Sequence, residues 1–147
     1  MIAEKARNGA KIAVVAFADA ERPRWLRLLA KGFRHCFALV CSSGRWVVIN
    51  PMSHWTDVVV LAESADGATA DEMVRTLEAR GFAAVACAVA EPARRAGLPA
   101  PFTCVEVVKR ILGIQKPLVL TPRQLFRFIE HSHSKMKIIL DKGNNPC

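Results

Sequence analysis

Hydrophobic residues gather along this chain in short runs punctuated by turn formers. Residues 11–18 (KIAVVAFA), apolar after Lys11, read as a buried strand. Residues 21–31 place Trp25, Leu28 and Leu29 on one helical face and Arg24, Arg27 and Lys31 on the other, which predicts a short amphipathic helix ended by Gly32. Three strand-sized runs follow. His35 to Cys41 is closed by the hairpin-type turn Ser42-Ser43-Gly44, Arg45 to Asn50 is closed by Pro51, and Asp57 to Ala62 is the third. An antiparallel meander is the economical arrangement of such neighbours.

Helical periodicity resumes near residue 70. Thr69 and Glu72 have capping-box spacing, Met73, Val74 and Leu77 supply an apolar face, and Gly81 is the stop. Residues 82–90 (FAAVACAVA) read as a further strand or as a short buried helix, because alanine dominates. Residues 91–101, rich in Pro, Ala and Arg, read as a surface loop. Thr103 and Glu106 repeat the capping-box spacing before a helix carrying Val105, Val108, Ile111 and Leu112, ended by Gly113. Thr121 and Gln124 repeat it again, with Pro122 at the first helical position and Leu125, Phe128 and Ile129 facing the core. From about residue 134 the chain is expected to fray, with His131 and His133 at or past the helix end. The elements add up to one α+β domain over residues 1–147, a small antiparallel sheet packed against helices, with a basic N-terminal segment.

Composition narrows the function classes. The 147 residues are 52% hydrophobic, enough for a sizeable core, and no apolar run reaches membrane-spanning length. Lys5, Arg7 and Lys11 before Ile12–Phe17 faintly resemble an export signal. The apolar run is short and Glu4 interrupts the basic region, so the run is read as a first strand. The net charge is +8 and lies at the two ends: residues 1–34 carry eight Lys/Arg against three Asp/Glu, 35–120 carry eight of each, and 121–147 carry five against two. Arg24, Arg27 and Lys31, with Arg22, Arg34 and Trp25 nearby, are candidates for contact with nucleic acid or another acidic partner. Five cysteines (Cys36, Cys41, Cys87, Cys104, Cys147) form no CxxC pair, and three lie in apolar runs. A disulfide framework is not expected, and a reducing cytoplasmic compartment is. His131, His133 and Cys147 make a poor zinc signature, and neither a metal nor a cofactor is expected.

Candidate chemistry centres on Cys104, whose alternative is an ordinary helix-start residue with Phe102 packed beneath. With Thr103 as N-cap it takes the first helical position, where unpaired backbone N–H groups and the positive end of the helix dipole favour a thiolate and can hold an oxyanion. Such a nucleophile needs a base. His35, opening a strand, is the candidate; its alternative is a hydrogen-bonded histidine at a sheet edge. If the two hairpin strands pair, Asn50 falls across from the neighbourhood of His35, and its side-chain oxygen would accept the Nδ1–H bond. Its alternative is a turn-forming Asn before Pro51, with His54 and Asp57 as other candidates for the orienting role.

The order Arg34-His35-Cys36-Phe37, then Val48-Ile49-Asn50-Pro51, then Phe102-Thr103-Cys104-Val105 resembles the circularly permuted papain-like thiol hydrolases. These are permuted relatives of NlpC-type peptidases and of the lecithin:retinol acyltransferase group. The resemblance covers about residues 33–130 and extends to small phage-associated or bacterial domains of this type. It implies a permuted papain-like fold, no metal and a covalent acyl-enzyme on a peptide, amide or ester substrate. Cys104 would be the nucleophile, His35 the base and Asn50 the orienting residue. The chain departs from the acyltransferase branch in lacking its Asn-Cys-Glu-His motif, and it carries Asn where many relatives use His as third member.

Overall fold

The computed structural model describes residues 11–20, 24–62, 67–90 and 102–140, with the side chains of 133–140 outside the description. Five antiparallel strands, β1 (Ile12–Ala18), β2 (His35–Ser42), β3 (Arg45–Pro51), β4 (Thr56–Val60) and β5 (Ala83–Ala88), form one open sheet in the order β4-β3-β2-β1-β5. Three helices accompany it: α1 (Ala70–Ala79), α2 (Cys104–Leu112) and α3 (Pro122–Leu140). The fold is α+β. β2, β3 and β4 make the expected meander, and β1 pairs beside β2. The alanine-rich run 83–88 is a strand rather than a helix, and it adds beside β1.

Alternation along β1 explains its unbroken hydrophobicity. Val14 and Ala16 pack with Leu39, Trp46 and the α1 residues Met73 and Leu77. Ala13, Val15 and Phe17 pack on the other face with Cys36, Ala38, Val105, Val108, Leu112, Leu125 and Ile129. The strand is therefore covered by α1 on one side and by α2 and α3 on the other, and both apolar sets are needed. On the α2–α3 face Phe17, Phe33 and Phe126 form a ring cluster with centroids 5.0–5.7 Å apart. β4, at the sheet edge, is exposed along its whole length.

Turn and cap chemistry sets the register. Ser42 pairs with Arg45, leaving Ser43 (φ 54°) and Gly44 (φ 81°) as a two-residue turn with both positions left-handed, whose twist suits a hairpin. The Thr69–Glu72 capping box closes in both directions. At Thr103 only half of it forms. The Thr103 hydroxyl accepts from the Glu106 N–H at 3.2 Å, while the Glu106 carboxylate turns forward to Lys109 (2.8 Å) and Arg110 (3.3 Å). The Thr121–Gln124 cap is complete.

Two expected elements differ. Within the described part of residues 21–31 there is a single 3₁₀ turn, Arg24–Leu28, and the apolar face assigned to it is mostly uncovered: Trp25 is 61% exposed and Leu28 91%, while Leu29 is partly buried. The last helix, expected to fray from about residue 134 with His133 at or past its end, continues through Leu140 and contains both His131 and His133. Ser132 does not break it, because its hydroxyl donates to the Phe128 carbonyl one turn back at 2.9 Å. The proposed loop 91–101 lies outside the described residues, as do residues 1–10 and Cys147.

Candidate active site

Antiparallel pairing brings several chain ends to one end of the sheet. The end of β1, the start of β2, the end of β3 and the start of β4 meet there, since Ala18 pairs with His35 and Pro51 with Thr56. Continuing the β2–β3 ladder one step beyond Ala38–Ile49 sets Asn50 across from Phe37, two residues from His35 and diagonal to it. α2 lies across the start of β2, so its first residue, Cys104, stands at this same end.

The side chains close the arrangement. His35 Nε2 meets Asn50 Oδ1 at 2.7 Å, and the His35 ring also hydrogen-bonds the Cys104 side chain. Phe37 stacks under the imidazole with a centroid separation of 6.5 Å and an interplanar angle of 29°. Cys104, His35 and Asn50, 69 residues apart at their widest in sequence on the positions His35 and Cys104, thus form one contiguous chain of hydrogen bonds. One detail differs from expectation. Asn50 takes Nε2, not Nδ1, which leaves Nδ1 as the ring nitrogen for the sulfur. Of the other candidates for the orienting role, His54 is exposed, and Asp57 pairs with Asn50 along the ladder and accepts from Trp55 Nε1 at 3.0 Å.

A fourth residue belongs to the site. Cys36, fully buried, hydrogen-bonds the Cys104 sulfur through its thiol, and its backbone makes a further hydrogen bond to the same atom. The hydrophobic run 36–40 gave Cys36 the pattern of a small core residue, which its burial matches. Nothing in the sequence marked it for more, because its role depends on where α2 meets the start of β2.

The electrostatics follow from these contacts. The Cys104 thiol is brought down to about 4, first by the Cys36 thiol hydrogen bond; burial opposes this, and His35 and the Cys36 backbone add to the lowering. For His35, burial is the largest influence and favours the neutral ring, but the bonds to Cys104 and Asn50 and the thiolate charge outweigh it and raise the imidazole above its usual range. Cys36 is pushed the other way, well above a normal thiol, because its S–H donates to Cys104 and because it is buried. The shifts therefore favour a thiolate–imidazolium pair beside a thiol that keeps its proton. Cys87, by contrast, is pushed up to about 12 by burial alone. The free thiols among the described residues are Cys36, Cys87 and Cys104, whereas Cys41 is disulfide-bonded, although no disulfide framework is expected from the sequence.

The surroundings define what reaches the pair. Cys104 is half-buried, and Phe102, two residues before it, is 62% exposed. Met52 and Trp55, in the turn joining β3 to β4, are also exposed at this end. The first backbone N–H groups of α2 have no acceptor within the helix and are available to a developing oxyanion. Arg24, Arg27 and Lys31 are exposed in the connection from β1 to β2. Among the described residues no group of three or more His, Cys, Asp or Glu side chains is placed to hold a metal ion, and no helix is long and apolar enough to cross a membrane. The chain matches no family model, no curated protein and no solved structure.

Proposed function

We propose that this protein is a thiol hydrolase of permuted papain-like type that cleaves an amide or ester through an acyl-enzyme on Cys104. The observation that carries this reading is the hydrogen-bonded series Cys104–His35–Asn50 at the N-terminus of α2. In it, the Cys104 thiolate attacks the substrate carbonyl while α2 backbone N–H groups hold the oxyanion. The His35 imidazolium gives its Nδ1 proton to the leaving amine or alcohol, and the neutral ring then deprotonates the water that releases the acyl group. Asn50 fixes the ring so that Nδ1 keeps this role. The exposed Phe102, Met52 and Trp55 suit a substrate with apolar groups flanking the scissile bond, as a peptide or acyl ester has.

The test is trapping. Incubation with activated esters and aminocoumarin amides of apolar acyl groups is expected to leave the acyl mass on the Cys104 peptide, with turnover abolished in Cys104→Ala. Acylation spread over other nucleophiles, unchanged by that substitution, overturns the reading.

One observation favours a second reading. The 3₁₀ turn exposes Trp25 between Arg24 and Arg27, an aromatic flanked by cations as in contacts to nucleic acid. Retention on single-stranded nucleic acid that weakens with salt and with Arg24→Ala/Arg27→Ala would support a binding module; no retention at low salt removes it.

A further inference from the structure

Cys36 takes no part in the acyl-transfer scheme as a nucleophile, yet its thiol touches the Cys104 sulfur. The two residues meet on the sheet face that α2 covers, where Cys104 packs against the core cluster that holds Cys36 and the two sulfurs hydrogen-bond, so joining them asks for a closure of neighbouring side chains rather than a rearrangement of the fold. They also differ in access. Cys104 is half-buried and Cys36 has no exposed surface. A small oxidant reaches the first and is kept from the second.

We propose that Cys36 and Cys104 form a dithiol oxidation site, at which a hydroperoxide oxidises Cys104 and Cys36 resolves the product into a reversible disulfide. In the first step the Cys104 thiolate attacks the terminal peroxide oxygen. The O–O bond breaks, Cys104 becomes a sulfenic acid, and the departing hydroxide or alkoxide takes the proton carried by the His35 imidazolium. In the second step the Cys36 sulfur attacks the Cys104 sulfur and displaces hydroxide, which leaves as water with the Cys36 proton. The peroxide is reduced by two electrons and the two thiols are oxidised by the same two.

The local electrostatics time the second step. While Cys104 is a thiolate, Cys36 donates to it and holds its own proton tightly. Conversion of Cys104 to a neutral sulfenic acid removes the charge that stabilised that proton. Cys36 becomes a better nucleophile only once there is something for it to resolve. Cys87, buried without such a neighbour, is left aside.

This site needs only the thiol pair and not the hydrolase activity, so the two readings fail separately. The full-length protein is treated with equimolar hydrogen peroxide near pH 6, blocked with a maleimide and digested without reduction. The expected product is a linked peptide joining Cys36 to Cys104, lighter by a pair of hydrogens, with Cys104 alkylation restored by dithiothreitol. In Cys36→Ser the same treatment should send Cys104 on to the irreversible sulfinic acid, about tenfold more of it at equal dose. The proposal is overturned if wild-type Cys104 accumulates as sulfinic acid with Cys36 still a thiol, or if the only peroxide-dependent links involve other cysteines. Because the linked peptide is read from the wild-type chain, poor folding of the variant does not rescue it.

Discussion

His35 Nε2 and Asn50 Oδ1 stand 2.7 Å apart, and this contact decides which ring nitrogen serves the thiol. An amide oxygen can only accept, so Nε2 must carry a proton and the proton exchanged with Cys104 is the one on Nδ1. Asn50→Ala is expected to leave the fold intact and slow Cys104 acylation by up to about 100-fold, the lower end of what positioned acid–base catalysis contributes. Asn50→Asp keeps an acceptor and adds charge, so it should retain more activity and move the alkaline limit upward. Equal rates in Asn50→Ala and wild type across the pH range would show that Asn50 does not orient the ring.

Cys104 and His35 shift in opposite directions, which widens the range in which both are charged. Cys104 is brought down to about 4 and His35 is raised, so the thiolate forms as pH rises through about 4 and the imidazolium is lost only above the ordinary imidazole range. The rate of acylation by an activated ester should rise near pH 4, hold a plateau and fall above the ordinary imidazole range, where His35 loses its proton. Stopped-flow measurement across pH 3–10 checks this. A single rise near about 8.5, the value for an unassisted thiol, would show that no ion pair exists.

Much of this site was legible because its residues sit at element boundaries, where sequence speaks most clearly. Thr103 and Glu106 mark a helix start, which placed Cys104. Ser43 and Gly44 mark a tight hairpin, which made β2 and β3 neighbours and brought Asn50 within reach of His35. What stayed hidden depended on orientation in space. The choice of Nε2 over Nδ1 follows from how the ring leaves the strand end, which no spacing encodes. The role of Cys36 follows from where α2 crosses β2, and the hydrophobic run around it gave no hint. At Arg24–Leu28 the helical spacing was present, but Trp25 and Leu28 find no surface to cover, so periodicity had nothing to stabilise.

Cys36 is the first influence on the Cys104 thiol, and this can be separated from its bulk. Cys36→Ala removes the S–H donor, so the acid limb of the Cys104 alkylation profile should move upward from about 4. Cys36→Ser supplies an O–H donor at the same place and should restore much of the shift. Chloroacetamide labelling across pH, with the Cys104 peptide quantified, reads both. Identical profiles for wild type and the alanine variant would mean that His35 alone sustains the thiolate.

Gly113 closes α2 in the left-handed conformation, φ 70°, and a β-carbon there would lie 2.5 Å from the Ala90 carbonyl oxygen. The neighbouring Ala90 N–H donates to the Leu112 carbonyl at 3.0 Å, so this close approach ties the helix end to the chain leaving β5. Gly113→Ala combines backbone strain with a backbone clash and should cost about 1–3 kcal/mol. Gly44→Ala shares the positive φ but has open space around it, and should cost less. Urea unfolding of both variants separates conformational strain from the clash, and equal losses would remove the clash from the account.

Lys109 is only 4% exposed, and its ammonium is fully occupied: it meets Glu106 Oε2 at 2.8 Å, the Lys116 carbonyl at 3.0 Å and the Val119 carbonyl at 3.1 Å. One cation thereby folds the α2–α3 connection back onto α2, the helix that presents Cys104. Lys109→Met fills similar volume but leaves two carbonyls and a carboxylate short of a donor, so it should destabilise the protein by about 3–5 kcal/mol, the range for breaking a buried ion pair. Glu106→Gln leaves the two carbonyl bonds in place and keeps an acceptor toward Lys109 and Arg110, so its loss should be clearly smaller. Thermal unfolding of the two variants decides between these roles. Near-equal losses would show that the ion pair, rather than the carbonyls of the connection, accounts for the burial of Lys109.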